Sequence, residues 1–185
     1  MRYGFRKAHI NRRLFRLDAL TRSIRHKVFD KERSHLCVPT KLQNNFVILE
    51  EKHKWGNIIV KGELSCCDNR NFLVKYSGKD ERIVFIATCQ TCNNEIHVFN
   101  GYTDGYDNIV EESHIQPALN FNDFICVKCK KGSFDLKIAF EYQSKEYLKE
   151  DGVNEYEKTF SWIWISPVCV SCNKKYKNLV DVETA

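Results

Sequence analysis

The sequence predicts a small, mainly β fold stapled by metal ions: two tandem cysteine-bearing ribbons preceded by a basic amphipathic helix. Three observations predict it. Cys-x-x-Cys pairs stand at Cys89/Cys92, Cys126/Cys129 and Cys169/Cys172, with an adjacent pair at Cys66/Cys67. The segments after the cysteines alternate apolar and polar residues as strands do. The first 31 residues hold ten Lys or Arg against Asp18 and Asp30, a net of +8 in a chain whose total is +5.

Residues 1–33 form the basic arm. Leu14, Leu17, Leu20, Ile24 and Val28 recur at three- and four-residue spacing, Phe15 and Phe29 widen that face, and Asn11 suits an N-cap. Arg12, Arg13, Arg16, Arg22, Arg25 and Lys27 are its candidate phosphate contacts. Such a helix can neutralise a phosphate backbone, lie on an anionic membrane surface, or dock on its own protein with its arginines solvated. The rest of the chain carries a net of −3, so the charge is segregated.

Residues 34–55 are a connecting segment. In it Asn45-Phe46-Val47-Ile48-Leu49 is a candidate strand and Pro39 argues against helix. Residues 56–104 are the first ribbon, entered through Ile58-Ile59-Val60. Residues 105–122 are a turn-rich linker with Gly105 and Pro117. Residues 123–185 are the second ribbon, with a charged loop over 144–158 that a hairpin tolerates as an insertion.

The cysteine clusters share more than cysteines. Phe72 follows Cys67 by five positions, as Phe134 follows Cys129, and each opens an apolar stretch. Cys92 and Cys172 are each followed by Asn, which tolerates the left-handed conformation a knuckle turn requires, and Ile96 and Tyr176 follow three positions later. This reads as one unit used twice. A two-residue gap aims two sulfurs at one ion, so eight thiolates make two all-cysteine zinc sites: Cys66, Cys67, Cys89 and Cys92, then Cys126, Cys129, Cys169 and Cys172. The adjacency of Cys66 and Cys67 departs from the pattern, and Cys37, His53 or His97 are alternative ligands there. Four thiolates also hold iron, so zinc is a preference from ligand type.

Other readings of these residues are weaker. Nine cysteines are odd in number, and the charged N-terminus shows no export signal, so a reduced, cytoplasmic protein is expected. A redox Cys-x-x-Cys opens a helix, whereas Glu95-Ile96-His97-Val98-Phe99 alternates as a strand. No stretch approaches the ~20 apolar residues of a membrane span. Asp104, Asp107, Glu111, Glu112 and His114 lack the spacing of a nuclease finger and read as a solvated loop, so no enzyme is expected. Strand alternation over Phe160-Ser161-Trp162-Ile163-Trp164-Ile165 puts Phe160, Trp162 and Trp164 on one face. They are expected to belong to the core, the other reading being a stacking platform for single-stranded bases. Phe134, Leu136, Ile138, Phe140 and Tyr142 are expected to pack beside them.

Cys89-Gln90-Thr91-Cys92 running into Phe99 and a Gly-Tyr-Asp turn resembles uncharacterised bacterial tandem zinc-ribbon proteins. So does Phe160 to Ile165 ahead of Cys169-Val170-Ser171-Cys172 and Tyr176-Lys177-Asn178. The resemblance covers residues 56 to 185 and implies a fold and zinc, with no activity attached. The expectation is a non-catalytic binding protein for DNA or RNA, the alternative being a protein–protein interaction adaptor.

Overall fold

The structure is a computed structural model that describes residues 38–54, 56–110, 116–150, 152–153 and 159–184. The basic arm, with Arg12, Arg13, Arg16, Arg22, Arg25 and Lys27, lies outside the described residues, as does Cys37. The described residues are mainly β, with nine strands in one sheet.

A 3-10 turn at Thr40–Leu42 leads into β1 (Phe46–Lys54) and β2 (Asn57–Leu64), which pair antiparallel. The strand expected around Asn45 to Leu49 therefore exists and runs longer, so the connecting segment is part of the sheet. β1 bulges between Ile48 and Glu50 opposite Gly62. A Cβ at Gly62 would stand 2.3 Å from the Val47 carbonyl oxygen and 2.5 Å from the Phe46 ring. The bare glycine lets Phe46 reach Phe140, with ring centroids 5.8 Å apart.

β3 (Phe72–Ser77), β4 (Val84–Cys89) and β5 (Glu95–Asn100) form a meander. A short helix α1 (Asp107–Val110) and the two-residue β6 (Asn122–Asp123) connect it to β7 (Ser133–Tyr142). Helix α2 (Lys145–Glu150) occupies the start of the charged loop before β8 (Phe160–Cys169), and β9 (Val180–Glu183) ends the sheet beside β8.

β7 is the pivot. Along one edge it pairs with β8 over its whole length. Its other edge takes β2 over Lys137 to Tyr142, then β3 at Ser133 and Phe134. Residues Cys37–Ala185 are one compact unit, so the two cysteine-bearing segments expected on either side of 105–122 are joined by ladder hydrogen bonds across β7.

The core follows the pleat. Phe134, Leu136, Ile138, Phe140 and Tyr142 are buried in strict alternation, as expected for β7. Phe160 packs on Phe140 at 5.2 Å, Tyr142 at 6.3 Å and Phe99 of β5 at 6.2 Å. The expected face assignment of β8 is corrected by a bulge: the register shifts between Glu141 and Tyr142, with Ser161 as the extra residue. Phe160 therefore joins Ile163 and Ile165 in the core, and Trp162 and Trp164 turn to the opposite face, half-buried. No helix of the described residues is long and apolar enough to cross a membrane.

Candidate metal centres

Each of the three Cys-x-x-Cys pairs folds into the same knuckle. The amide after the second cysteine donates to the carbonyl of the first: Asn93 to Cys89 at 2.9 Å, Lys130 to Cys126 at 2.8 Å and Asn173 to Cys169 at 2.9 Å. The first cysteine's amide then closes the loop by donating to Asn94, Lys131 and Lys174. That geometry requires positive φ at the closing residue, and Asn93 (59°), Lys130 (59°) and Asn173 (57°) adopt it. The expectation for the two asparagines holds.

The knuckle of β7 and that of β8 face one another. The Cys126 and Cys172 sulfurs are 3.6 Å apart, the Cys129 and Cys169 sulfurs 3.4 Å, and all four lie within 4.8 Å of one another. Four sulfurs held tetrahedrally at ~2.3 Å from one ion stand about 3.8 Å apart, so the set fits a four-coordinate metal. It would leave no coordination position open for water or substrate.

The second group joins Cys66, Cys67 and Cys92. Cys66 is 3.6 Å from Cys92 and 3.8 Å from Cys67, sulfur to sulfur, which again fits a shared ion. The adjacency has a backbone explanation. Cys66 and Asn69 exchange two hydrogen bonds of 2.9 Å around Cys67 and Asp68, whose φ values are 52° and 55°. This is a two-residue turn of the primed type, shorter than the Cys126 knuckle, and it swings both sulfurs to one side. Cys89 is buried beside the group, its sulfur 3.7 Å from the Cys66 carbonyl oxygen, without lying within 4.8 Å of all three others. His53 and His97 are exposed and paired with Glu51 and Glu95, outside either group.

The ladder places the groups in matching positions. Phe72 pairs with Cys89 as Phe134 pairs with Cys169, and Phe72 and Phe134 are themselves partners. The Gln90 amide donates to Asn71 as the Val170 amide donates to Ser133.

Electrostatics suit thiolate ligands. Burial raises the Cys126 thiol, yet the Tyr176 hydroxyl and the Cys129 and Lys128 amides donate to its sulfur and bring it to about 6. At Cys89 the Cys92 amide, then the Thr91 amide and the Asn69 side chain, outweigh burial and bring it to about 6. Cys66 is pushed up to about 12 by burial and by the sulfurs of Cys92, Cys67 and Cys89. At Cys129 the Lys131 amide donates to the sulfur, but burial and the sulfurs of Cys169, Cys172 and Cys126 push it up to about 12. Negative charge collects on one sulfur and opposes the next ionisation, and a divalent cation removes that opposition.

Tyr176, three positions after Asn173, has a second role beside the packing of its ring. Its hydroxyl donates to the Cys126 sulfur at 3.2 Å and accepts from the Val127 amide at 2.8 Å, while its ring meets Phe124 edge-on at 5.0 Å. Asn69 is its counterpart in the first group, its amide 3.8 Å from the Cys89 sulfur. Their only sequence signal is a polar group close to a cysteine pair. In the expected loop, Asp104 accepts from the Asn100 amide at 2.7 Å and pairs with Lys41, a structural use. Glu111, Glu112 and His114 lie outside the described residues. Comparisons with protein-family models, curated proteins and solved structures returned no match.

Proposed function

We propose that this chain is a non-catalytic binding protein, a zinc-ribbon unit used twice and stapled by two zinc ions, which binds nucleic acid through its basic N-terminal arm. The observation that carries the reading is the segregated charge: a net of +8 in residues 1–31 against −3 in the rest. A field of one sign steers and holds a phosphate backbone. The Cys126 group supports a structural role for its metal, because four thiolates fill the coordination shell and offer nothing to a substrate. The zinc then adds to the aromatic core, since its binding free energy is folding free energy.

Six phosphate contacts, from Arg12, Arg13, Arg16, Arg22, Arg25 and Lys27, would weaken binding roughly a thousandfold between 50 and 200 mM salt. The test is a salt titration of DNA and RNA binding by the full chain and by a variant lacking residues 1–31. Loss of binding in the truncated chain and a steep salt slope are expected. Salt-insensitive binding, or binding unchanged by the truncation, refutes the reading.

The adaptor reading has one observation in its favour. β1 pairs with β2 alone among the described residues and exposes Val47 and Leu49, an edge to which a partner strand can add. A stoichiometric protein partner retained after nuclease treatment would support it.

A further inference from the structure

On the face of the sheet opposite the aromatic core, the bulge in β8 leaves Trp162 and Trp164 side by side. Their rings are stacked, with centroids 5.6 Å apart and planes 13° from parallel. The Trp162 indole N–H donates to Asp181 at 2.7 Å, and the Asn178 side-chain amide holds the other oxygen of the same carboxylate at 3.1 Å. The pair is thus fixed before anything binds. Glu141, held by Asn57 at 2.7 Å, and Glu183 flank Trp162 as its ladder partners, which leaves Trp164 the ring farther from carboxylates other than Asp181. Trp164 lines an open groove of about 560 Å³ whose floor includes Ile59 and Ala139. Lys61, Lys137 and Lys177 line it against one carboxylate, Glu50. Glu63 is buried next to Lys137 and satisfied by Lys137 and Arg70.

We infer that this groove is a binding site for single-stranded nucleic acid: an unpaired base stacks on Trp164 and the flanking phosphates meet Lys61 and Lys177. A fixed aromatic face with cations at its rim is what unpaired bases require, whereas a duplex hides its base faces. The inference rests on the nucleic-acid reading above and narrows it to a strand state. The arm supplies contacts common to every nucleic acid, and the groove supplies the discrimination.

The experiment is fluorescence anisotropy of a labelled oligothymidylate, an oligouridylate and a blunt duplex against the full chain, with Trp164→Ala, Trp164→Phe and the double variant Lys61→Glu/Lys177→Glu. Metal content and circular dichroism check folding. Trp164→Ala is expected to lose roughly five- to a hundredfold in single-strand affinity with duplex affinity changed by less than about twofold, and Trp164→Phe to recover part of the loss. If Trp164→Ala does not fold, the surface lysine variant decides, with selective loss on single strands expected. Single-strand affinity unchanged in the folded variants, with duplex still bound, overturns the groove alone. No binding of any nucleic acid by the full chain overturns the groove and the function above together. Loss of a captured protein partner in these variants, with single-strand binding intact, assigns the groove to protein docking instead and overturns the inference.

Discussion

Replacing Tyr176 by Phe removes one oxygen and leaves the ring that packs on Phe124 and Phe134. The lost oxygen donates to the Cys126 sulfur at 3.2 Å and accepts from the Val127 amide at 2.8 Å. The second bond matters little, because Val127 is 65 % exposed and water takes the place of the hydroxyl. The first is a hydrogen bond to a group that carries charge in the metal-bound state, worth about 1.5–3 kcal/mol. At ~1.4 kcal/mol per factor of ten, that is roughly a 10- to 150-fold loss of metal affinity at the Cys126 group, in the range usual for partners of metal ligands. Competition with a chromogenic chelator reads the two sites as separate phases. Tyr176→Phe should move one phase by that factor and leave the other in place. Equal affinity in both phases, or a shift in the phase that Cys67→Ser abolishes, would refute the argument that this hydroxyl supports the thiolate.

Elemental analysis should find two zinc ions per chain, falling to one in Cys169→Ser and staying at two in His53→Ala and His97→Ala; a loss in either histidine variant would return that histidine to the ligand set. Asn173→Ala should cost about 1 kcal/mol in chemical denaturation because alanine resists the positive φ there, whereas Asn173→Gly should be near neutral. Gly62→Ala should destabilise by about 1–3 kcal/mol, through the clash with Val47 and Phe46; a neutral result would mean the bulge in β1 relaxes freely. In the metal-free protein, Cys89 and Cys126 sit below the ordinary 9.0, so their stabilisation is complete above pH ~9 and disappears as pH falls through about 6. Cys66 and Cys129 are raised to about 12, so theirs is complete below pH ~9 and is lost as pH climbs toward 12. Denaturation midpoints of the metal-free chain should therefore peak near pH 9, and a flat profile would contradict the opposed shifts.

The local geometry of the cysteine knuckles was legible because spacing dictates it: two residues between cysteines, then a residue that tolerates positive φ. Asn93 and Asn173 announce that conformation, while Lys130 adopts the same φ without announcing it, since the knuckle forces it. The alternation of β7 could be read for the same local reason. Phe160 could not, because one extra residue at Ser161 inverts the faces behind it, and a bulge depends on the partner strand rather than on composition. The pairing of β2 and β3 on one edge of β7 was equally hidden, because it joins residues some 60 to 80 positions apart through backbone groups that every sequence shares. The bond from Tyr176 to the Cys126 sulfur was not legible, because a tyrosine serves both as core ring and as hydrogen-bond donor, and sequence shows only the residue type.

The central place of β7 bears on the order in which the molecule can come together during synthesis. β2 and β3 leave the ribosome long before Ser133–Tyr142, yet both lie against it, and Phe72, paired with Cys89 on one side, finds its second ladder partner in Phe134. The early half can close its own meander and gather its sulfurs, but one flank of β2 and one flank of the start of β3 stay bare until the later strand arrives. A nascent chain paused before residue 133 thus presents bare strand edges, the surface on which chains most readily pair with the wrong neighbour. Early capture of metal by Cys66, Cys67 and Cys92 would hold that half in register during the wait.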